Sequence, residues 1–232
     1  MASRQIPLQL QPTRHKLLED FIAGPNQALV NSLRELLDEP AGAVLLSGPG
    51  GSGKSHLLSA VFHQAQESGL NSIYLSLQRM PAAAVAVLSD LDQLDLVCVD
   101  DLQAIVGLPD WEEALFHLFN RVREAGGCVL MASHFTARQL AVELPDLKSR
   151  LAWGLQLHLK PLADSHKLTI MQQSARRQGA ELPEDVARYL LRRGPRGMKA
   201  LLDHLDQLQQ AAFAGKRPLT VPLARSVLQD GC

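Results

Sequence analysis

Short apolar runs alternate with amphipathic helical patterns over much of the chain. The apolar runs are typical of buried strands, and they cover Val44–Leu46, Ser72–Leu77, Leu94–Val99, Cys128–Ala132 and about Leu155–Leu159. Strands that are covered on both faces form continuous apolar runs, whereas helices show a period of 3.6 residues. The alternation therefore predicts an α/β fold in which a five-stranded parallel sheet carries helices on both faces.

Helices are expected before and between these strands. The first is predicted over Pro25–Asp38, with an apolar face and a proline in its first turn, and folded structure is expected to begin near Arg14. A second helix follows the first strand. An alanine-rich helix is predicted around Pro81–Leu88, and another helix over Trp111–Arg123.

The pattern changes near Lys160. From Pro161 onward no strand pattern remains, and three or four helices are expected. The chain is therefore predicted to hold an N-terminal tail over residues 1–13, an α/β nucleotide-binding domain over 14–160, and a small all-helical lid domain over 161–232.

A glycine-rich segment lies between the first strand and its helix. Gly48–Ser55 matches the pattern G-x-x-x-x-G-K-[ST] in the strand–loop–helix context that a phosphate-binding loop requires. Glycines let backbone N–H groups turn toward an anion at the positive end of a helix, Lys54 can reach the terminal phosphates, and Ser55 can hold Mg²⁺. The alternative is a glycine-rich turn with an incidental lysine. The predicted cofactors are ADP or ATP with Mg²⁺, and the predicted contacts are Gly48, Pro49, Gly50, Gly51, Ser52, Gly53, Lys54, Ser55 and His56.

Two acidic residues, Asp100 and Asp101, follow the third predicted strand. A carboxylate at this end of a strand can lie beside the phosphate loop and hold the water shell of the metal. Asp100 is therefore the predicted residue on the metal side, and Asp101 is a candidate for orienting the attacking water. The alternative is an acidic strand-to-loop turn without a chemical role.

Composition and charge narrow the class of protein. Apolar residues make up 46% of the chain and the net charge is −1, which indicates a globular protein and argues against broad electrostatic binding of duplex DNA. No apolar run approaches the length of a membrane span, and the N-terminus lacks the apolar core of a signal peptide. The three cysteines show no metal-binding spacing. We expect a cytoplasmic protein with reduced thiols and no membrane partner.

The N-terminal tail contains the segment Gln5–Leu10, with the sequence QIPLQL. Pro7 keeps this segment out of a helix, and in an extended chain Leu8 and Leu10 point the same way. Such a peptide suits a groove on another protein, although a tail with incidental leucines is the alternative. The candidate partner-binding residues are Gln5, Ile6, Pro7, Leu8, Gln9 and Leu10.

Several segments together resemble the AAA+ ATPases, and within them the bacterial replication initiator DnaA and its smaller relatives, the Hda family. The phosphate-loop segment Gly53–Leu58 and the acid-pair segment Val99–Gln103 are similar to those of the initiator. Leu144–Gly154 resembles the family segment that carries an arginine finger. Leu182–Val186 and Pro195–Met198 resemble the helical lid with its sensor 2 arginine. The resemblance spans nearly the whole chain, from about Phe21 to Leu228.

The resemblance implies roles for individual residues. Arg150 would be the arginine finger, a catalytic group delivered to a neighbouring subunit, unless it caps the end of its helix. Arg196 would reach the nucleotide phosphates from the lid, unless it is one more solvated lid arginine. Phe21 and its neighbours would pack near the base, unless they only pack at the edge of the sheet. At the sensor 1 position this chain has Ser133-His134 instead of the usual polar pair, which argues against efficient hydrolysis by the protein itself.

The resemblance also implies a function and its partners. The tail and the lack of a further DNA-binding domain favour the Hda family over the initiator. A protein of this kind binds nucleotide, with ADP as the expected working state, and docks through Gln5–Leu10 on the sliding clamp of the polymerase (its β subunit). It would reach DNA only indirectly through the clamp and would stimulate ATP hydrolysis by DnaA, which inactivates the initiator.

Two other functions fit parts of the sequence. An autonomous AAA+ ATPase, such as a helicase loader or transposition helper, would turn over its own ATP without the clamp. A small-molecule kinase is disfavoured because no second substrate cleft is indicated. A homo-oligomer is compatible with each of these functions.

Overall fold

The computed structural model describes residues 17–91 and 93–230. These residues divide into two compact units. The first contains residues 17–49 together with Lys54–Leu159, and the second contains Gly50–Gly53 together with residues 160–230.

The first unit is built on a five-stranded sheet. The strands are β1 (Gly42–Ser47), β2 (Ser72–Ser76), β3 (Leu96–Asp100), β4 (Cys128–Ser133) and β5 (Leu155–His158). They lie in the order β2-β3-β4-β1-β5, and every neighbouring pair is parallel. The predicted five-stranded parallel sheet is therefore confirmed. Strand β3 reaches one residue further than predicted, so that Asp100 is its last residue and pairs in register with Ser76.

Four α-helices cover the sheet: α1 (Gln27–Asp38), α2 (Lys54–Glu67), α3 (Pro109–Glu124) and α4 (Pro145–Trp153). Successive residues of a strand point to opposite faces. Leu45 therefore packs in the cluster that contains Leu115 and Phe119 of α3, whereas Leu46 packs in the cluster that contains Leu57 of α2. Apolar cores on both faces explain why the strands appear in the sequence as continuous apolar runs.

Two predicted helices differ in detail from the structure. The segment Gly24–Asn26 is a short 3₁₀ helix, so that α1 begins after Pro25. The α-helix predicted over Pro81–Leu88 is wrong, since Ala82–Asp90 forms a nine-residue 3₁₀ helix. This segment is apolar almost throughout and has no 3.6-residue period. Its conformation is therefore set by tertiary contacts, including the hydrogen bond that Arg121 donates to the carbonyl oxygen of Leu88 over 2.8 Å.

The second unit contains four α-helices: α5 (Asp164–Arg177), α6 (Glu184–Arg193), α7 (Met198–Ala214) and α8 (Val221–Asp230). Their apolar faces enclose a core of their own, which includes Met171, Val186, Leu190, Leu205 and Leu208. In residues 17–91 and 93–230, none of the helices has the length and apolar character needed to span a bilayer.

Candidate functional site

The loop between β1 and α2 has the backbone conformation of an anion-binding loop. Gly51 and Gly53 have φ angles of 70° and 107°, which residues with a side chain rarely adopt. Helix α2 begins directly after them at Lys54, and its N-terminal end supplies free N–H groups and a positive dipole. The Ser55 side chain is exposed. These residues fit a nucleoside phosphate with Mg²⁺.

Lys54 is buried, with only 6% of its surface exposed. Its Nζ donates hydrogen bonds to the carbonyl oxygens of Gly48 (2.8 Å) and Pro49 (2.9 Å). Burial lowers the pKa of Lys54, while the charges of Asp100 and Asp101 act in the opposite direction. The cation of the loop thus lies within electrostatic reach of both acidic residues.

Asp100 is also buried, and each oxygen of its carboxylate accepts one hydrogen bond. The Tyr74 hydroxyl donates a hydrogen bond of 2.7 Å to Oδ2, and the Asp101 backbone N–H donates one of 3.0 Å to Oδ1. Burial, followed by the charge of Asp100 and this hydrogen bond, raises the pKa of Tyr74, so that the hydroxyl keeps its proton. No motif in the sequence marks Tyr74 as a partner of the acid pair. The strand register explains the contact: Tyr74 pairs with Cys98, and Cys98 lies two residues before Asp100, so that all three side chains are on the same face of the sheet.

Asp101 lies in the left-handed region at φ 60° and is held by two side chains. Ser76 Oγ donates to its Oδ2 over 3.4 Å, and Gln103 Nε2 donates to its Oδ1 over 3.2 Å. Gln103 Oε1 in turn accepts a hydrogen bond of 3.1 Å from the backbone N–H of His134. Gln103 therefore links Asp101 to the end of β4 through hydrogen bonds. Its position at the end of the segment Val99–Gln103 did not indicate this role.

The two residues at the sensor 1 position, Ser133 and His134, differ in their exposure to solvent. Ser133 is fully buried, and its Oγ accepts a hydrogen bond of 3.1 Å from the backbone N–H of Phe135. The side chain of His134 is exposed.

The predicted base-side residue Phe21 packs against another predicted contact, His56. Their ring centroids are 5.5 Å apart at an interplanar angle of 59°. Phe21 is half-buried and also packs against the apolar cluster of α1 and α2. The pair supplies a ring surface at the start of α2.

In the second unit, the residues beside Arg196 contact Gly51. The Met198 backbone N–H donates a hydrogen bond of 3.1 Å to the Gly51 carbonyl oxygen. A methyl group on Gly51 would lie only 2.8 Å from the Gly197 Cα, so that the close approach itself requires glycine. The Arg196 carbonyl oxygen accepts a hydrogen bond of 3.1 Å from Lys167 Nζ. The Arg196 side chain is exposed.

Arg150 lies on α4 and is half-buried. Over residues 17–91 and 93–230, its side chain makes no hydrogen bond or ion pair. The C-terminal end of α4 is capped instead by Gln156, whose Nε2 donates to the carbonyl oxygens of Leu151 (2.7 Å) and Gly154 (3.0 Å). Capping therefore does not account for Arg150. One turn further on, Trp153 is 63% exposed, and the Arg123 guanidinium lies 5.7 Å from its ring centroid.

Other predicted features take no part in this arrangement. The segment Gln5–Leu10 lies outside the described residues. Cys98 and Cys128 are buried free thiols, and burial raises the pKa of Cys128 to about 12. Within the described part of the chain, no three His, Cys, Asp or Glu side chains cluster as a metal site would require.

Two family descriptions match the sequence, and together they cover both units. Residues 13–158 match the bacterial DnaA ATPase domain. Residues 164–228 match the lid domain of Hda.

Individual proteins agree with these matches. An uncharacterised protein of Haemophilus influenzae is 36% identical over 230 residues, which cover 97% of this chain and 99% of that protein. Domain III of the replication initiation protein DnaA from Thermotoga maritima has the same fold, with a TM-score of 0.82 at 20% identity over 95% of this chain and 98% of that one. AMPPCP-bound DnaA from Aquifex aeolicus gives a TM-score of 0.75 at 24% identity over 89% of this chain and 68% of that one.

Proposed function

Because the chain belongs to the family of DnaA-related AAA+ proteins and carries an Hda-type lid, we propose that it inactivates the replication initiator by stimulating DnaA to hydrolyse its ATP. The nucleotide bound by this chain would keep it in its working state, and the hydrolysis would take place in the site of the partner. This chain would donate one residue, Arg150, together with the binding energy of the complex.

The observation that carries the proposal is the contrast between Arg150 and the charges of the phosphate-loop site. Lys54, Asp100 and Asp101 all have hydrogen-bond partners within their own site. Arg150 has no such partner in the described residues, although the helix that bears it is capped. An unpaired guanidinium on a well-anchored helix suits a second molecule in which negative charge develops on a transferring phosphoryl group.

The site of this chain supports binding of nucleotide more than its turnover. Ser55 and Asp100 would hold Mg²⁺, the glycine loop with Lys54 and Arg196 would hold the phosphates, and Asp101 would orient a water molecule. The sensor 1 position would require a hydrogen-bond donor for the phosphates, and this chain has His134 there, whose side chain is exposed. We therefore expect ADP or ATP to bind and self-hydrolysis to be slow.

The N-terminal segment completes the proposal. Gln5–Leu10 would dock on the polymerase sliding clamp through its two leucine anchors, so that only protein tethered to a clamp on DNA acts efficiently. DNA would be contacted through the clamp.

The test is single-turnover hydrolysis of labelled ATP preloaded on DnaA, with clamp-loaded DNA and either wild-type chain or Arg150→Ala. We expect Arg150→Ala to bind nucleotide and clamp normally but to lose about 10³–10⁵-fold of the stimulated rate. Arg150→Lys should lose most of it, since a point ammonium does not reproduce the planar fork of the guanidinium.

Equal stimulation by the wild-type chain and Arg150→Ala would rule out the finger. No stimulation by the wild-type chain, together with rapid turnover of its own ATP, would indicate an autonomous ATPase instead.

A further inference from the structure

Glu112 on α3 is an ionisable side chain in the apolar core, with only 1% of its surface exposed. Its carboxylate accepts hydrogen bonds from three backbone N–H groups. Gly107 N donates to Oε1 over 2.8 Å, Leu144 N donates to Oε2 over 2.8 Å, and Glu143 N lies 2.9 Å from Oε2 and 3.3 Å from Oε1. One buried carboxylate therefore joins the loop before α3 to the two residues that precede α4.

A carboxylate in such a place is costly unless its hydrogen bonds offset the loss of water. An apolar side chain of similar volume could fill the same space in the core. What the Glu112 carboxylate adds, compared with an apolar side chain, is therefore its hydrogen bonds to the backbone N–H groups.

Those groups control where α4 begins. The helix starts at Pro145, which has no N–H, and its N-cap residue Leu144 has no capping side chain. Glu112 accepts from the N–H of the N-cap residue itself, the hydrogen bond that a glutamate in the first turn makes in a capping box, and its negative charge lies near the positive end of α4. At the other end Gln156 binds the carbonyl oxygens of Leu151 and Gly154. The nine-residue helix is thus anchored at both ends by side chains from outside it.

Resting on the proposed role of Arg150 as the finger, we propose that Glu112 is its positioning residue, which fixes the start of α4 and thereby the place where the guanidinium is presented to a partner. Glu112 does not touch the partner. It acts through the backbone of Glu143 and Leu144. Because a finger interacts with charge that develops in the transition state, its misplacement lowers the maximal rate more than the affinity for the partner.

The principal variant is Glu112→Gln, which keeps the volume but replaces one acceptor oxygen with an N–H₂ group that faces backbone donors. Its matched control is Glu113→Gln on the same helix, since Glu113 is 70% exposed and its Oε1 lies 3.6 Å from Nε2 of His117. In the DnaA hydrolysis assay we expect Glu112→Gln to lower the maximal rate by roughly 10–100-fold at an unchanged half-saturating concentration and unchanged ADP affinity. Glu113→Gln should match the wild-type chain.

A second variant and a second readout keep the test independent of folding and of the partner. Gln156→Ala, at an exposed position, releases the other end of α4 and should also lower the maximal rate. Of the two tryptophans in the chain, Trp153 is the last residue of α4 and Trp111 is buried in the core. In a common Trp111→Phe background, acrylamide should quench Trp153 more strongly, and its fluorescence anisotropy should decay faster, in Glu112→Gln than in Glu113→Gln.

The outcomes separate the two proposals. If the wild-type chain stimulates hydrolysis and both Glu112→Gln and Gln156→Ala reach its maximal rate, the positioning role is overturned. It is also overturned if Glu112→Gln changes only the half-saturating concentration. If the wild-type chain gives no stimulation, the proposed function fails, and unchanged Trp153 quenching in Glu112→Gln would then show that Glu112 does not hold α4.

Discussion

The phosphate-loop end of the sheet and helix α4 hold their charged side chains in opposite ways. At the phosphate loop the side chains are fixed, because Lys54 binds two carbonyl oxygens and Asp100 binds Tyr74 and a backbone N–H. On α4 it is the backbone that is fixed, through Glu112 and Gln156, while the Arg150 side chain has no partner in the described residues.

The difference reflects where each group is proposed to act. A group that serves a ligand in its own site binds better when it is already oriented, since less conformational entropy is lost on binding. A group that serves another molecule must not be neutralised within its own chain, because any such pair would have to break in the complex. Anchoring the helix while leaving the guanidinium without a partner in the described residues satisfies both conditions. Lys54→Ala and Tyr74→Phe test the phosphate-loop side of this contrast, and a double substitution in the N-terminal tail tests a separate docking segment.

Of these three variants, Lys54→Ala has the largest expected effect. The substitution removes the cation at the terminal phosphates, and hydrogen bonds to charged groups are worth about 1.5–3 kcal/mol each, so we expect nucleotide affinity to fall on the order of 10²-fold. Calorimetric titration with ADP and ATP measures it. Lys148→Ala, an exposed lysine on α4, is the charge-matched control and should bind as the wild-type chain does. Unchanged affinity of Lys54→Ala would mean that the loop is not the nucleotide site.

A smaller effect is expected for the double substitution Leu8→Ala and Leu10→Ala. The tail is proposed to dock on the clamp and to take no part in nucleotide binding. We therefore expect clamp affinity to fall at least about 30-fold, as for the loss of a buried apolar anchor, and nucleotide affinity to stay the same. Surface plasmon resonance on immobilised clamp measures the first quantity, and Gln11→Ala, in the same tail but outside the proposed docking segment, is the control. Clamp binding that survives the double substitution would exclude the tail as the docking segment.

The smallest effect is expected for Tyr74→Phe, which removes one hydrogen bond to Asp100. We expect the free energy of unfolding in urea to fall by about 1–2 kcal/mol near neutral pH. The other tyrosine of the chain, Tyr189 on α6, provides the control variant Tyr189→Phe.

The difference in the free energy of unfolding between the wild-type chain and Tyr74→Phe should depend on pH. The folded protein holds the Tyr74 proton above the ordinary pKa of 10.0, whereas the unfolded chain releases it there. The contribution of Tyr74 to stability is therefore complete below about pH 10 and is lost as the pH rises further. The stability difference between the wild-type chain and Tyr74→Phe should narrow above pH 10. A difference that widens there would contradict the raised pKa.

Much of this architecture follows from the sequence because it depends on local pattern. Buried strands, amphipathic helices and the phosphate loop each occupy one continuous stretch, and the order of strands and helices then limits the sheet to few topologies. Asp100 could be identified for the same reason, since it ends an apolar run. The Pro81–Leu88 prediction failed where the local pattern is uninformative, because an apolar segment without a period takes its conformation from its neighbours.

The contacts that distinguish the two regions were decided only by the tertiary structure. Tyr74 reaches Asp100 because β2 lies beside β3 in a particular register, and Gln103 joins Asp101 to His134 across 31 residues of sequence. Glu112 binds Glu143 and Leu144, which are 31 and 32 residues away. In the sequence Glu112 is one of two adjacent glutamates in a helix, and the helical period places it, unlike Glu113, on the same face as Leu115 and Phe119. The period does not tell which groups a glutamate on that face binds, because its backbone partners before α4 are brought to it only by the packing of α3 against the rest of the domain.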